Sequence, residues 1–433
     1  MKKIFFKNIN IPSHLLIAAS SWVAKIVIAL SQVASIRYLL DMMGEKGYAA
    51  FVLLSGLLVW GGIADFGIGS SLQNYISESR ARGENYNQYI KASFDIVFLG
   101  MLFLVLILYV SSDFLSGIYL SNFSYLEIGN KGNVFFVASV IFCSVGIGSI
   151  ICKIWFAEQA GWKANAVNAV SYLFGFFGVW FAHKMHMGLS VKLSLAIMFI
   201  PLSFFTMFFL VNRYLKDING DVKVKDYVAL IKRGRGFFFF ALLSVLVLQA
   251  DYIVMSQKLS ASDIVVYSVL MKIFSLLFFI YSAVLQALWP VCAELCVGKN
   301  WERLNKIVII NIILGSVFIF LFTFFIFLIK DEIIPFISTK IDLNINYSVF
   351  LMFGAYFIIR VWCDTFAMLL QSMNYLKPLL YLVPIQVVVG FSAQWFFTEK
   401  YGIVGMLLGL SLSFIATVVW GLPYFYCKLI KAK

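Results

Sequence analysis

The sequence predicts an all-α integral membrane protein, with twelve transmembrane helices in two six-helix lobes that form a 6+6 repeat around a central cleft. Three observations carry this reading. First, of 433 residues 62% are apolar, 18% aromatic and only 13% charged, with a mean hydropathy of +0.92. An average soluble domain is about 25% charged, so the composition excludes a water-soluble enzyme, a disordered chain and a nucleic-acid binder. Second, a spanning helix uses about 20 apolar residues, and twelve such helices consume nearly all of the roughly 268 apolar positions. Third, a short motif recurs half a chain apart, as set out below.

Apolar runs separated by short polar breaks place the first six spans at about 14–40, 48–75, 89–112, 132–157, 162–183 and 189–212. A 23-residue polar connector, Arg213 to Arg235, follows. The second six run at about 236–258, 264–291, 307–329, 347–373, 376–398 and 402–427. Helices are expected throughout because backbone groups in a bilayer must be paired internally and no alternating barrel pattern is present. The domains expected are therefore 1–212, a connector at 213–235, and 236–433. The N-terminus, MKKIFFKNINIPS, lacks a small-residue cleavage site and is expected to be a cytoplasmic start before an uncleaved first helix.

Cations orient the chain. With both termini placed inside, 22 of the 34 Lys and Arg fall in cytoplasmic positions, seven of them in the connector, and eight in outer loops. That asymmetry is the bias expected of cytoplasmic loops and accounts for most of the net charge of +13. The other four, Lys25, Arg37, Lys272 and Arg360, fall inside spans.

The recurring motif follows the second and the eighth spans. Glu78 precedes Gly83-Glu84-Asn85-Tyr86, and Glu294 precedes Gly298-Lys299-Asn300-Trp301, with the glycines 215 positions apart. Both sites lie at the cytoplasmic end of the second helix of a half, so the halves run parallel rather than inverted.

A charge at mid-bilayer costs at least about 2.5–3.5 kcal/mol and usually faces a cavity or a partner. Lys25 lies about 16 Å from either end of its span, on a stripe with His14, Ala18, Ser21, Ala29, Gln32 and Ser35. Span two carries Ser55, Gly62, Asp65, Gly69 and Gln73, and span seven carries Ser244, Asp251 and Lys258. Span eight carries Ser268, Lys272, Ser275, Ser282 and Gln286, and span ten carries Tyr356, Arg360, Asp364 and Gln371. Spans six, nine and twelve hold no interior charge and are expected to face lipid or neighbouring helices. Each stripe has a packing alternative: Ser and Gly allow close helix approach, Arg360 and Asp364 neutralise one another one turn apart, and Lys25 pairs with Asp65. The functional alternative is a hydrated cleft for an anionic cargo, with Asp65, Asp251 and Asp364 holding a coupling ion or balancing charge. The six cysteines show neither zinc nor disulfide spacing, and the His183/His186 pair lacks a third ligand, so no metal or cofactor is implied.

The chain resembles the Wzx-type O-antigen flippases of the multidrug/oligosaccharidyl-lipid/polysaccharide exporter superfamily. The resemblance rests on Arg37-Tyr38-Leu39-Leu40 with Gly44 and Gly47-Tyr48, on Asp65-Phe66-Gly67-Ile68-Gly69, and on Gln249-Ala250-Asp251. It continues through Tyr267, Lys272, Leu288-Trp289-Pro290, Glu294 and Gly298. It implies a V-shaped pair of lobes in the bacterial inner membrane, both termini cytoplasmic. It also implies transfer of an undecaprenyl-diphosphate-linked oligosaccharide from the cytoplasmic to the periplasmic leaflet, by alternating access coupled to H+ or Na+. Membrane lipid, a polysaccharide polymerase and a chain-length regulator are the implied partners. On that reading Lys25, Arg37, Lys272 and Arg360 bind the diphosphate through charge-assisted contacts.

Two alternatives remain at this level. A multidrug exporter of the same superfamily usually carries an acid in the first or seventh helix; the first here carries Lys25 and Arg37, and the seventh carries Asp251. A membrane enzyme such as an O-antigen polymerase or acyltransferase would need a large outer loop or a catalytic constellation, and the longest outer loop here is Asp113 to Lys131.

Overall fold

With no water at the bilayer centre, every backbone N–H and C=O has to be paired along its own segment, and a helix does so. The computed structural model describes residues 13–216, 222–329, 346–373, 375 and 377–432. Lys2, Lys3, Lys7, Lys330, Lys340 and Lys433, counted above, lie outside them, and so do the side chains of His14, Ala18, Ser244, Gln286, Trp289, Pro290 and Glu294.

The helices are α1 Ser13–Gly61, α2 Ile68–Arg82, α3 Asn87–Tyr119, α4 Tyr125–Ile128, α5 Lys131–Gly148, α6 Ile150–Ala157 and α7 Gly161–Lys184. They continue with α8 Val191–Lys216, α9 Val224–Lys258, α10 Ala261–Val297, α11 Trp301–Leu328, α12 Tyr347–Ser372, α13 Lys377–Ala416 and α14 Val418–Ala432. No strand occurs among the described residues.

Nine helical stretches among them are long and apolar enough to cross a membrane. Two are far longer than one crossing needs, Ala19–Gly61 with 43 residues and Lys377–Lys431 with 55. Each contains a sharp backbone break, at Gly44 (φ 69°, ψ 179°) and Gly402 (φ 56°, ψ −134°). Two crossings in each, together with the 35-residue α9, are consistent with twelve spans.

Two expected boundaries differ from the observed ones. The second span, expected to be continuous over 48–75, stops at Gly61 and restarts at Ile68. Phe66 and Gly67 adopt left-handed backbone (φ 54° and 73°). The Asp65 carboxylate accepts the Gly67 N–H at 2.8 Å and the Gly69 N–H at 3.1 Å, supplying acceptors that a restarting helix lacks. A Cβ on Gly67 would overlap the Gly234 carbonyl, so both the conformation and the space require glycine. The fourth span, expected over 132–157, matches the stretch Lys131–Ala157, with a turn at Ser149 between α5 and α6. The connector 213–235 is largely helical: α8 runs to Lys216, and α9 begins at Val224, twelve residues before the expected start. Apolarity ends where the lipid ends, but a helix projecting into water keeps its hydrogen bonds while its side chains turn polar.

The repeated Gly-x-Asn motif forms the same joint twice with one shift. After α2 the chain closes with Glu84 N–H on the Ser79 carbonyl, and after α10 with Asn300 N–H on the Leu295 carbonyl. In each case an asparagine then starts the next helix, Asn85 accepting from Asn87 N–H and Asn300 from Arg303 N–H. The left-handed residue is Gly83 in the first joint but Lys299 (φ 52°), not Gly298, in the second.

The described chain packs as two compact units. The first comprises residues up to Tyr38, Leu57–Leu115 and Asn130–Ala241, and the second Leu39–Gly56, Ser116–Gly129 and Leu242 onward. The first has an apolar core that includes Leu72, Ile76, Ile90, Ile147, Ile154 and Leu210. It also holds Arg233 on Glu78 through two bonds of 2.6 and 3.1 Å, with the guanidinium 5.0 Å from the Tyr75 ring centroid. In the second unit Phe274 stacks on Phe353 and Phe357 at 5.4 and 5.6 Å. There Tyr281 bridges three helices, accepting from Asn311 at 2.9 Å and hydrogen-bonded to the Thr365 hydroxyl at 2.5 Å. Gly405 and Gly409, a small-residue stripe, bring the chain after Gly402 against the first part of α13, and a Cβ on Gly409 would lie 2.5 Å from the Gln394 backbone nitrogen. Leu99, Phe103 and Val110 of α3 and Leu314 and Phe320 of α11 present exposed apolar faces suited to lipid.

Gly67→Ala is expected to destabilise the purified protein by about 1–3 kcal/mol, seen as a lowered thermal midpoint, because it combines backbone strain with overlap. A wild-type midpoint would show that the break accommodates a side chain. Arg233 holds the Glu78 carboxyl below its ordinary value of 4.5 through their hydrogen bonds. A depressed carboxylate stabilises above its unfolded value and loses that contribution as pH falls through the folded one. Arg233→Ala should therefore lower the thermal midpoint at pH 7, by the equivalent of no more than about 1 kcal/mol for a half-exposed pair. The deficit should shrink below about pH 4; one that is constant with pH would point to lost packing on Tyr75 instead.

Candidate functional site

The second unit contains a cavity of about 320 Å³ where α9, α10, α12 and both parts of α13 meet. Its polar lining comes from Gln249 and Asp251 of α9, Arg360 and Asp364 of α12, and Gln386 and Gln394 of α13. Tyr356, Phe391 and Phe414 contribute rings.

The charges in this cavity are already engaged. Asp251, 7% exposed, accepts the Tyr267 hydroxyl at 2.7 Å and the Tyr252 N–H at 3.0 Å. The Arg360 guanidinium donates to Asp364 at 3.0 Å one helical turn away and lies 4.6 Å from the Phe278 ring centroid. The glutamines differ. Gln249 and Gln394 are 6% and 1% exposed, and their amide oxygens accept no hydrogen bond within the described protein.

The sequence-predicted site residues thus fall into separate places. Asp251, Arg360 and Asp364 line one cavity. Lys272 belongs to the same unit but reaches elsewhere, its ammonium donating to the Tyr48 hydroxyl at 3.4 Å. Lys25, Arg37 and Asp65 belong to the first unit. Lys25 is exposed and Arg37 half-buried. Ser35, expected on the Lys25 stripe, is instead buried, bonding back to the Ser31 carbonyl. Asp65 spends both oxygens on backbone N–H groups, so its observed work is to start α2. The alternative in which Arg360 and Asp364 neutralise one another is the geometry observed.

Sequence reasoning missed Gln386 and Gln394, although a signal was present. Gln386, Gly390, Gln394 and Thr398 recur every four residues in an otherwise apolar span, which places them along one helix face. The stripes described above lie on spans that carry a charge, and this span holds none in its interior.

Comparison with known proteins follows this geometry. The family model described as MatE matches residues 238–396. The chain is 52% identical over 426 residues to a putative O-antigen transporter of Salmonella typhi, covering 98% of each. It is 40% identical to a putative O-antigen export protein of Yersinia pseudotuberculosis, covering 96% of each. Among solved structures, the inward closed conformation of the lipid II flippase MurJ superposes with a TM-score of 0.76 at 14% identity, over 95% of this chain and 87% of that one. An inward-facing MATE family transporter of the MOP superfamily gives 0.73 at 13% identity, over 96% and 99%. At such identities the structural likeness speaks for the fold alone, whereas the close relatives fix the family. The chain belongs to the O-antigen transporter family, a multi-pass membrane transporter and not an enzyme.

Proposed function

We propose that the protein moves undecaprenyl-diphosphate-linked O-antigen repeat units from the cytoplasmic to the periplasmic leaflet of the inner membrane, by alternating access coupled to H+ or Na+. The relatives named as O-antigen transporters support the cargo class. The observation that carries the reading is Lys272. It is half-buried in a membrane helix, and among the described residues the bond it makes is to a neutral phenol, which leaves its charge for an anion. A diphosphate, with about two negative charges, is the anionic part of such a cargo, and charge-assisted contacts are the strong ones. Lys272 is assigned to the diphosphate. Lys25, Arg37 and Arg360 are assigned as contacts at one stage or another of its passage, Arg360 with its charge partly met by Asp364. Asp65, Asp251 and Asp364 are assigned to charge balance or to a coupling ion.

A strain lacking the gene should accumulate lipid-linked single repeat units on the inner leaflet and lose surface polysaccharide, and the wild-type gene should restore display. Lys272→Ala should cut transport roughly tenfold or more at unchanged protein abundance, since a hydrogen bond to a charged group is worth about 1.5–3 kcal/mol. Normal display by that variant would remove Lys272 from the site. The MatE match over 238–396 favours a second reading, multidrug export. Lost drug tolerance with intact polysaccharide in the deletion strain would select it.

The Arg360–Asp364 pair makes a separate prediction. Arg360→Met and Asp364→Leu should each destabilise the protein, and the double variant should cost less than their sum, with a coupling of about 1–2 kcal/mol in thermal unfolding. Strict additivity would mean that the two side chains do not act as a pair.

A further inference from the structure

We propose that the cavity in the second unit is a subsite for a single uncharged pyranose ring. The proposal rests on the reading of the cargo as a glycosylated lipid, and it assigns a place to the sugar rather than to the diphosphate. Four observations point the same way. At about 320 Å³ the cavity is at the small end of ligand pockets, suited to one ring and not to a chain. The amide oxygens of Gln249 and Gln394 are buried without donors among the described residues, and a buried acceptor in that state calls for one. A sugar hydroxyl donates to an amide oxygen and accepts from an amide N–H, so the amides and a polyol match in both directions.

Charge is the third observation. Arg360 is met by Asp364, and both Asp251 oxygens already accept hydrogen bonds, so the lining asks for a neutral, hydroxyl-rich ligand. The fourth is the set of rings. Tyr356, Phe391 and Phe414 line the same space, and the C–H face of a pyranose is apolar and packs on aromatic carbon. Gln394 is also held in place. Its own backbone is the surface that Gly409 touches, and a Cβ on Gly390 would lie 3.2 Å from the Ser413 Cβ.

The test uses the purified full chain in lipid nanodiscs and two probes. One is the lipid-linked repeat unit extracted from the strain lacking the gene, and the other is undecaprenyl diphosphate without sugar. Calorimetric titration of the wild type should show the glycosylated lipid binding about tenfold tighter than the bare one. Gln249→Met and Gln394→Met should each lower affinity for the glycosylated lipid about tenfold and leave the bare lipid unchanged. Phe391→Leu spares both amides at a partly exposed ring, and should lower the glycosylated affinity several-fold even where a glutamine variant fails to fold. Folded variants that keep the wild-type preference would overturn the subsite and leave the cavity to water. A wild type that binds both lipids equally would overturn the subsite alone, with the diphosphate reading standing. A wild type that binds neither would overturn the cargo reading and this subsite with it.

Discussion

Two oxygens of Asp65 take the N–H groups of Gly67 and Gly69, and that pairing lets a helix stop and restart in an apolar span. The constraint behind it runs through the whole molecule: a polar group carried away from water has to find its partner in protein. Asp251 finds Tyr267, Arg360 finds Asp364, and Asn311 and Thr365 share Tyr281. The bonds of Asp251 and Tyr281 tie separate helices together, whereas Arg360 and Asp364 pair within one helix, a turn apart. The groups left over are therefore conspicuous. Lys272 meets only a neutral hydroxyl among its described contacts, and two glutamine oxygens meet no donor among the described residues.

Much of the fold was legible because lipid imposes a length and a composition on each crossing. The twelve apolar runs map onto the observed helices, and the long stretches Ala19–Gly61 and Lys377–Lys431 divide at glycines close to the expected gaps. What was not legible lies where a side chain overrides the local pattern. Hydropathy in 62–67 does not mark a break, although Gly62 and Gly67 lie in it, because the break depends on Asp65 folding back onto two amides and on Gly234 arriving from far along the chain. The early start of α9 was hidden for the opposite reason, since hydropathy reports lipid and says nothing of helix continuing into water.

The site was half legible. Buried charges stand out in an apolar sequence, so Asp251, Arg360 and Asp364 were found and do share a cavity. For Asp65 the structure adds two backbone bonds that charge alone does not announce, and charge overlooked Gln386 and Gln394, which carry no formal charge yet still cost free energy to bury unpaired. The repeated joint after α2 and α10 teaches the same lesson from the backbone side. Two similar texts build similar turns, yet the strained residue is a glycine in one and Lys299 in the other, because hydrogen-bond closure and not residue identity sets where the chain reverses.

The glycine contact within α13 sets a limit on how the second unit can adapt. Gly409 already meets the Gln394 backbone at van der Waals limits, so this wall cannot move inward and any substituent at that position would force it outward. The cavity beside it can be resized only by exchanging the side chains that face it, such as Phe391 or Met271, and not by sliding its helices. Its shape is thus encoded locally, one residue at a time, on a frame whose spacing is fixed.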